Sequence, residues 1–168
     1  MVDVWYLITL VGKPEIWLIL AGMLVLAYLP IMWRLPKERK DFVKKCVVVF
    51  TVSLWLIAGV TFFLKYSIPA ERPCIPCEGG RTDCNPYCPK DGSFPSGHTA
   101  IVFGVSTSLF VIFRRKKFLF LFAVALLVGV SRYVLGVHYP IDIVAGGIIG
   151  IVIPVAVSAI YERFVRNV

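Results

Sequence analysis

Charged residues are scarce in this chain. Only 17% of its 168 residues are charged, against about 25% in an average soluble domain. Hydrophobic residues make up 58%, and the mean hydropathy is +0.82. This composition excludes an ordinary soluble globular protein. Acidic residues are scarcer than basic ones, with 10 Asp and Glu against 18 Lys and Arg. An excess of basic residues on an apolar chain indicates a membrane protein rather than a nucleic-acid binder.

The chain also lacks internal repeats and low-complexity tracts, which excludes a solenoid. We therefore expect a single domain over residues 1–168. One segment differs in composition, the stretch 65–97, which is rich in Pro, Gly, Cys and charge. The N-terminus has Asp3 where a signal peptide would carry basic residues, so we expect residues 1–12 to form a short interfacial helix with Trp5 and Tyr6.

Five apolar stretches reach or approach the roughly 20 helical residues that cross a membrane. The third is short, and the fourth carries Arg132 near its end, so both need flanking polar residues to complete a crossing. His98 and Arg132 are thereby placed close to one membrane face. We predict an all-α integral membrane bundle of five transmembrane helices plus the interfacial helix. The stretches are residues 16–33, 46–64, 99–113, 118–137 and 143–161.

Basic residues are distributed unevenly between the two sides of this topology. Twelve of the eighteen fall in the segments 34–45, 114–117 and 163–166, which five spans place on one side. Because Lys and Arg concentrate in cytoplasmic loops, the stretches 65–97 and 138–142 are predicted to face the exterior. The Arg-Arg-Lys-Lys run at 114–117 is interpreted as an anchor for lipid head groups.

Both histidines of the chain lie on the predicted exterior side, close to several cations. The helix ends bring together Lys65, Arg72, His98, Arg132, His138 and Asp142, while Arg81 and Lys90 lie in the same loop. Guanidinium groups fork onto phosphate oxygens and an ammonium acts as a point charge. This constellation suits an anion with two or three charges, such as a phosphate.

The segment Phe94–His98 reads Phe-Pro-Ser-Gly-His and leads into a helix. The Ser96 hydroxyl and the backbone amides of a helix N-terminus form a cradle for an anion, and Gly97 lets it approach closely. The alternative is a simple N-cap turn.

His138 and Asp142 are four residues apart, with Pro140 in the first turn of the last helix. A carboxylate at that distance can accept the imidazole N–H, fix its tautomer and support it as a nucleophile or base. The alternative is a helix-capping pair. A metal site is disfavoured, because the neighbouring cations would repel a divalent ion and no second carboxylate is near.

Three spaced motifs resemble those of the type 2 phosphatidic acid phosphatase superfamily. They are Lys65-x6-Arg72-Pro73, Pro95-Ser96-Gly97-His98 and Ser131-Arg132-x5-His138-x3-Asp142. The resemblance implies hydrolysis of a phosphomonoester or diphosphate through a phosphohistidine, without metal or other cofactor. It makes His138 the nucleophile, Asp142 its support and His98 the acid that protonates the leaving oxygen. It makes phosphate ligands of Lys65, Arg72, Ser96, Gly97 and Arg132.

Four cysteines lie in the exterior loop, at Cys74, Cys77, Cys84 and Cys88. Their spacing fits either a zinc site or disulfides, and we favour disulfides because the loop faces the exterior. Three pairings are open, of which we favour the nested one, Cys74 with Cys88 and Cys77 with Cys84.

The leading hypothesis is a lipid phosphatase of the cytoplasmic membrane that acts on the outer leaflet. Polyprenyl diphosphate is the first choice of substrate, by family-level analogy, with phosphatidylglycerophosphate, phosphatidic acid and lipid A 1-phosphate as further candidates. The alternatives are a phosphotransferase that uses the same phosphohistidine and a non-catalytic phospholipid-binding membrane protein.

Overall fold

The computed structural model describes residues 4–77 and 84–166, apart from the side chains of Glu38 and Arg166. Residues 1–3 of the predicted N-terminal helix and Arg81 lie outside this part. The described chain is helical, which confirms the all-α prediction. The helices are Val4–Leu10 (α1), Pro14–Met32 (α2), Lys37–Ser67 (α3), Gly97–Phe113 (α4), Phe120–Val134 (α5) and Pro140–Arg166 (α6), with a 3₁₀ turn at Lys116–Leu119 before α5.

Four described stretches are long and apolar enough to cross a membrane: residues 4–32, 39–67, 116–134 and 140–165. Helix α4, which contains the third predicted apolar stretch, is shorter at 17 residues. The sequence predicted that this stretch would be short. This is an integral membrane protein with four or five crossing helices. The turn at residues 11–13 separates α1 from α2, and α1 packs on α5 whereas α2 packs mainly on α3.

Some boundaries differ from the predictions. The loop predicted at 65–97 is shorter at both ends, because Lys65 lies in the last turn of α3 and Gly97 already begins α4. The fourth span was predicted to run to residue 137, but α5 ends at Val134. Gly136 has a φ of +66°, a left-handed conformation that ends helices and that glycine adopts at little cost. The chain turns there, two residues before His138.

Helix α4 lies at the centre of the bundle and packs against α3, α5 and α6. More than half of its residues are buried, and Ile101 and Val105 meet Leu54 and Ile57 of α3 in the core. The N-terminus of α4 is thereby held rigidly among its neighbours.

Two glycines one turn apart on α6, Gly146 and Gly150, let that helix approach α4 closely. A Cβ at Gly146 would stand 2.5 Å from the Ser96 carbonyl oxygen, and one at Gly150 would stand 2.8 Å from the Gly104 amide nitrogen. Small residues at this spacing bring membrane helices into backbone contact. The N-termini of α4 and α6 are therefore adjacent.

We expect Gly146→Ala to destabilise the bundle, because its methyl group would overlap backbone that cannot swing aside. Overpacking of this kind costs about 1–3 kcal/mol. Gly147→Ala is the matched control on the same helix, since its nearest atom would be Phe103 Cε2 at an ordinary 3.7 Å. Thermal unfolding in detergent should show a lower midpoint for Gly146→Ala alone. Equal midpoints would contradict close packing of the two helices.

Candidate active site

The predicted site residues converge at one end of the bundle. Helices α3 and α5 end there and α4 and α6 begin there, so Lys65, Gly97, Arg132 and Asp142 all lie in terminal turns. The Ser96 amide donates to the Asp142 carbonyl oxygen at 3.0 Å. This backbone bond ties the segment before α4 to the start of α6.

His138 and Asp142 form a buried pair, with both side chains 2% exposed. Asp142 Oδ2 lies 3.3 Å from His138 Nδ1 and accepts the backbone N–H of Tyr139 at 2.9 Å. A carboxylate can only accept here, so the ring proton is on Nδ1 and the lone pair is on Nε2. The lone pair of His138 is therefore directed away from Asp142.

The surroundings of His138 keep its imidazole neutral. Burial, reinforced by the charges of Arg72 and Arg132, lowers the pKa of His138 far below its ordinary value of 6.5. A cation beside other cations in a site sheltered from water is unfavourable. The neutral imidazole keeps a lone pair on Nε2, which is the form that can act as a base or a nucleophile.

Arg72 is the cation closest to this nitrogen. Its Nη1 lies 3.2 Å from His138 Nε2 and donates to the Val137 carbonyl oxygen at 2.7 Å. Lys65 and Arg72 both donate to the Gly92 carbonyl oxygen. The structure thus brings the two residues of the first motif to the histidine of the third.

The PSGH segment lies against the same site. Ser96 is fully buried, and its hydroxyl pairs with that of Thr99 at 3.0 Å. A Cβ at Gly97 would approach other described residues no closer than 3.9 Å, so protein packing does not require glycine there. The His98 ring makes no hydrogen bond within residues 4–77 and 84–166, and its backbone lies close to Gly12 in the turn between α1 and α2.

The loop that carries Arg72 is cross-linked by two nested disulfides, Cys74–Cys88 and Cys77–Cys84. This is the pairing that the sequence analysis favoured, and it leaves none of the four thiols for zinc. Asn85 anchors the loop, because its side-chain amide donates to the Leu135 carbonyl oxygen at 2.7 Å. In the described part of the chain, no three His, Cys, Asp or Glu residues are grouped to hold a metal ion.

The sequence comparison with protein families agrees with this geometry. The model of the PAP2 superfamily matches residues 43–166, which include all three motifs. The chain belongs to the PAP2 superfamily. The resemblance drawn from the motifs is confirmed.

Several PAP2 relatives are similar in sequence over part of their length. The bacitracin transport permease protein BcrC of Bacillus licheniformis is 41% identical over 61 residues, 36% of this chain and 30% of that protein. The putative undecaprenyl-diphosphatase YbjG of Escherichia coli K12 is 27% identical over 121 residues, 72% of this chain and 57% of that protein. An undecaprenyl-diphosphatase of Sulfolobus acidocaldarius is 37% identical over 62 residues, 37% of this chain and 30% of that protein. The chain spans between 30% and 57% of the length of these relatives.

Two solved structures share the fold. The PAP2-type phosphatidylglycerolphosphate phosphatase from Bacillus subtilis has a TM-score of 0.66 at 23% identity, over 95% of this chain and 76% of that chain. LpxE from Aquifex aeolicus has a TM-score of 0.52 at 25% identity, over 95% of this chain and 83% of that chain.

The structure adds Thr9, which the sequence analysis did not select and which precedes the segment that the PAP2 model matches. Arg132 is 4% exposed, and its Nη1 donates to Thr9 Oγ1 at 3.0 Å. The Nε of Arg132 is buried without a hydrogen-bond partner among the described residues, and a phosphate oxygen would satisfy it. No local signal marks Thr9, because its role arises only when α1 packs on α5.

The structure also adds Asp91 to the residues of the candidate site, because its carboxylate is in direct contact with Lys65 and Arg72. Burial would raise the pKa of Asp91, but these two cations outweigh it and hold that pKa below its ordinary value. Its position six residues before Gly97 is visible in the sequence, but its pairing depends on the path of the loop.

Proposed function

We propose that this chain hydrolyses the phosphate or diphosphate head group of a membrane lipid, with His138 as the nucleophile. The observation that carries this proposal is the buried pair of a neutral His138 imidazole and the Asp142 carboxylate, which lies beside buried guanidinium groups. A protein that merely binds phospholipids needs cations but no oriented imidazole. Charge on the transferred phosphoryl group is stabilised here by Lys65, Arg72 and Arg132, in the role that Mg²⁺ has in many other phosphoryl-transfer enzymes.

The reaction proceeds in two steps. The lone pair on His138 Nε2 attacks phosphorus, and the bond to the lipid oxygen breaks. His98 lies among the same cations, so it takes up its proton when the negative charge of the phosphate is bound, and it gives that proton to the leaving oxygen. Asp142 stabilises the positive charge that His138 gains. Water, deprotonated by His98, then attacks phosphorus and releases phosphate, which restores His138. The Ser96 hydroxyl and the Gly97 backbone N–H at the start of α4 add hydrogen-bond donors, and the helix adds the positive end of its dipole.

Polyprenyl diphosphate is our first choice of substrate. Two of the partial relatives carry the name undecaprenyl-diphosphatase, and the cations around His138 suit a head group with several charges. We place the enzyme in the cytoplasmic membrane with the site on its outer face, as one catalytic unit over residues 1–168. Lys45 and Arg114 pair with Glu162 at the opposite end of the bundle. Because basic residues concentrate on the cytoplasmic side of membrane proteins, this supports a cytoplasmic location for that end.

Phosphate release from a panel of lipid phosphates tests this proposal. The full chain in detergent, with excess EDTA, should release phosphate from polyprenyl diphosphate at a higher kcat/KM than from phosphatidic acid, phosphatidylglycerophosphate or lipid A. Activity is expected to be unchanged by EDTA, because the charge is supplied by side chains.

Two outcomes would contradict the proposal. Activity that is lost in EDTA and restored by Mg²⁺ or Zn²⁺ would exclude the metal-free mechanism. Transfer of phosphate to an added alcohol in place of release to water would identify a phosphotransferase.

A further inference from the structure

The Asp91 carboxylate bridges the two cations of the first motif. Its Oδ1 lies 2.8 Å from Arg72 Nη2, and its Oδ2 lies 3.1 Å from Lys65 Nζ. One carboxylate thus bridges two groups that the proposed mechanism assigns to phosphate oxygens.

All the hydrogen-bond donors of Arg72 are engaged within the protein. A guanidinium group has five N–H bonds, and the five contacts are to the Asp91 carbonyl oxygen, Asp91 Oδ1, the Gly92 carbonyl oxygen, the Val137 carbonyl oxygen and His138 Nε2. A phosphate that binds Arg72 must therefore displace one of them. The backbone carbonyls are fixed by the fold. His138 Nε2 must leave Arg72 to attack phosphorus, which frees one N–H of Nη1. A phosphate that also binds Nη2 has to displace Asp91.

Asp91 is the partner that can move away. Its side chain is 55% exposed, whereas that of Arg72 is 6% exposed. It borders a cavity of about 650 Å³, lined by Lys65 and residues 69–72, 74–76 and 88–92. The carboxylate can swing into that space while both cations stay in place.

The charge of a ligand decides whether it displaces Asp91 from Lys65 and Arg72. Asp91 carries one negative charge, since the two cations keep it ionised. A phosphodiester head group also carries one charge, so exchanging Asp91 for it gains little electrostatic energy. A phosphomonoester has a second ionisation near pH 6, so it and a diphosphate bring at least about two charges to the same pair of cations.

We infer that Asp91 is a specificity-determining residue: it occupies Lys65 and Arg72 against singly charged phosphodiester head groups and gives way to monoesters and diphosphates. A site that opens towards a bilayer is surrounded by phosphodiester lipids, and competition from Asp91 keeps them off the cations. This inference rests on the proposed function for its choice of competing lipids.

Anion binding by Asp91→Asn tests the inference independently of turnover. The unfolding midpoint of the full chain in detergent would be measured as inorganic phosphate or dimethyl phosphate, a soluble diester, is added. A bound anion raises this midpoint. The wild type should respond to inorganic phosphate at concentrations at which dimethyl phosphate has no effect. Asp91→Asn should respond to dimethyl phosphate at a concentration at least about tenfold lower than the wild type requires, since the neutral amide leaves the cations uncompensated.

Two further variants serve as controls. Asp91→Glu keeps the charge and should restore discrimination to within a few-fold of the wild type. Glu71→Gln removes a carboxylate that lines the same cavity but makes no ion pair within the described part of the chain, and it should behave as the wild type. In a turnover assay, phosphatidylglycerol in mixed micelles should inhibit Asp91→Asn and spare the other two.

The opposite results would overturn the inference. If Asp91→Asn bound dimethyl phosphate no better than the wild type, or bound both anions more weakly, Asp91 would only shape the loop. A wild type that binds inorganic phosphate but hydrolyses no lipid phosphate would refute the proposed function, and the binding comparison would still decide the role of Asp91.

Discussion

His138→Ala is expected to lower kcat by at least about 10⁴-fold, the scale seen when a covalent nucleophile is removed. The physical reason is that His138 supplies the neutral nitrogen lone pair that contacts Arg72 in the described part of the chain. Lys65 and Arg72 remain in the variant, so substrate should still bind. Steady-state phosphate release measures the loss, and mass spectrometry of wild type quenched during turnover should find phosphate on the peptide that contains His138.

Tyr139→Phe is the matched control, since this exposed neighbour contributes its backbone N–H to Asp142 and its hydroxyl makes no hydrogen bond within the described residues. Near-normal activity in His138→Ala would show that the nucleophile is another group. The pH profile gives a second check on His138. Protonation removes its lone pair, and its pKa is lowered, so the acid limb of kcat/KM should lie below pH 6.5.

His98→Ala should reduce hydrolysis of lipid monophosphates by about 10²–10⁴-fold, the usual contribution of a general acid. A lipid alcohol leaves as a strongly basic alkoxide unless it is protonated. The leaving group of a diphosphate is a phosphate ester, which is far less basic, so the same variant should lose much less activity on polyprenyl diphosphate. The ratio of the two kcat/KM values is the measurement.

An aryl phosphate with an acidic phenol as leaving group provides the control for His98, because its departure needs no proton. His98→Ala should hydrolyse it at nearly the wild-type rate. Equal losses on all three substrates would mean that His98 positions the phosphoryl group and does not protonate the leaving oxygen.

Much of the fold was predictable from local pattern. Apolar stretches of about 20 residues indicate membrane helices because backbone groups must be satisfied within the segment. The short third stretch and Arg132 in the fourth predicted that polar helix ends would meet at one face, and the structure places them so. Helix ends were less predictable, because the turn at Gly136 that ends α5 depends on backbone conformation rather than on hydropathy.

The motif residues were also visible in the sequence, since their chemistry depends on residue type and spacing. The spacing of His138 and Asp142 spans one helical turn, so their pairing is a local event. Arg72 was predicted to be a phosphate ligand. Its hydrogen bonds to five protein acceptors were not predictable, because those acceptors come from distant parts of the chain.

The sequence by itself determined the membrane class, the helices and the motif residues of the candidate site, because each follows from composition or from short spacings. The tertiary structure alone decided which groups surround them. Asp91 reaches Lys65 through the path of the disulfide-linked loop, Thr9 reaches Arg132 because α1 packs on α5, and Gly146 matters because α6 presses on the backbone before α4. Such contacts join residues far apart in the chain, and their energies depend on packing geometry that no local pattern encodes.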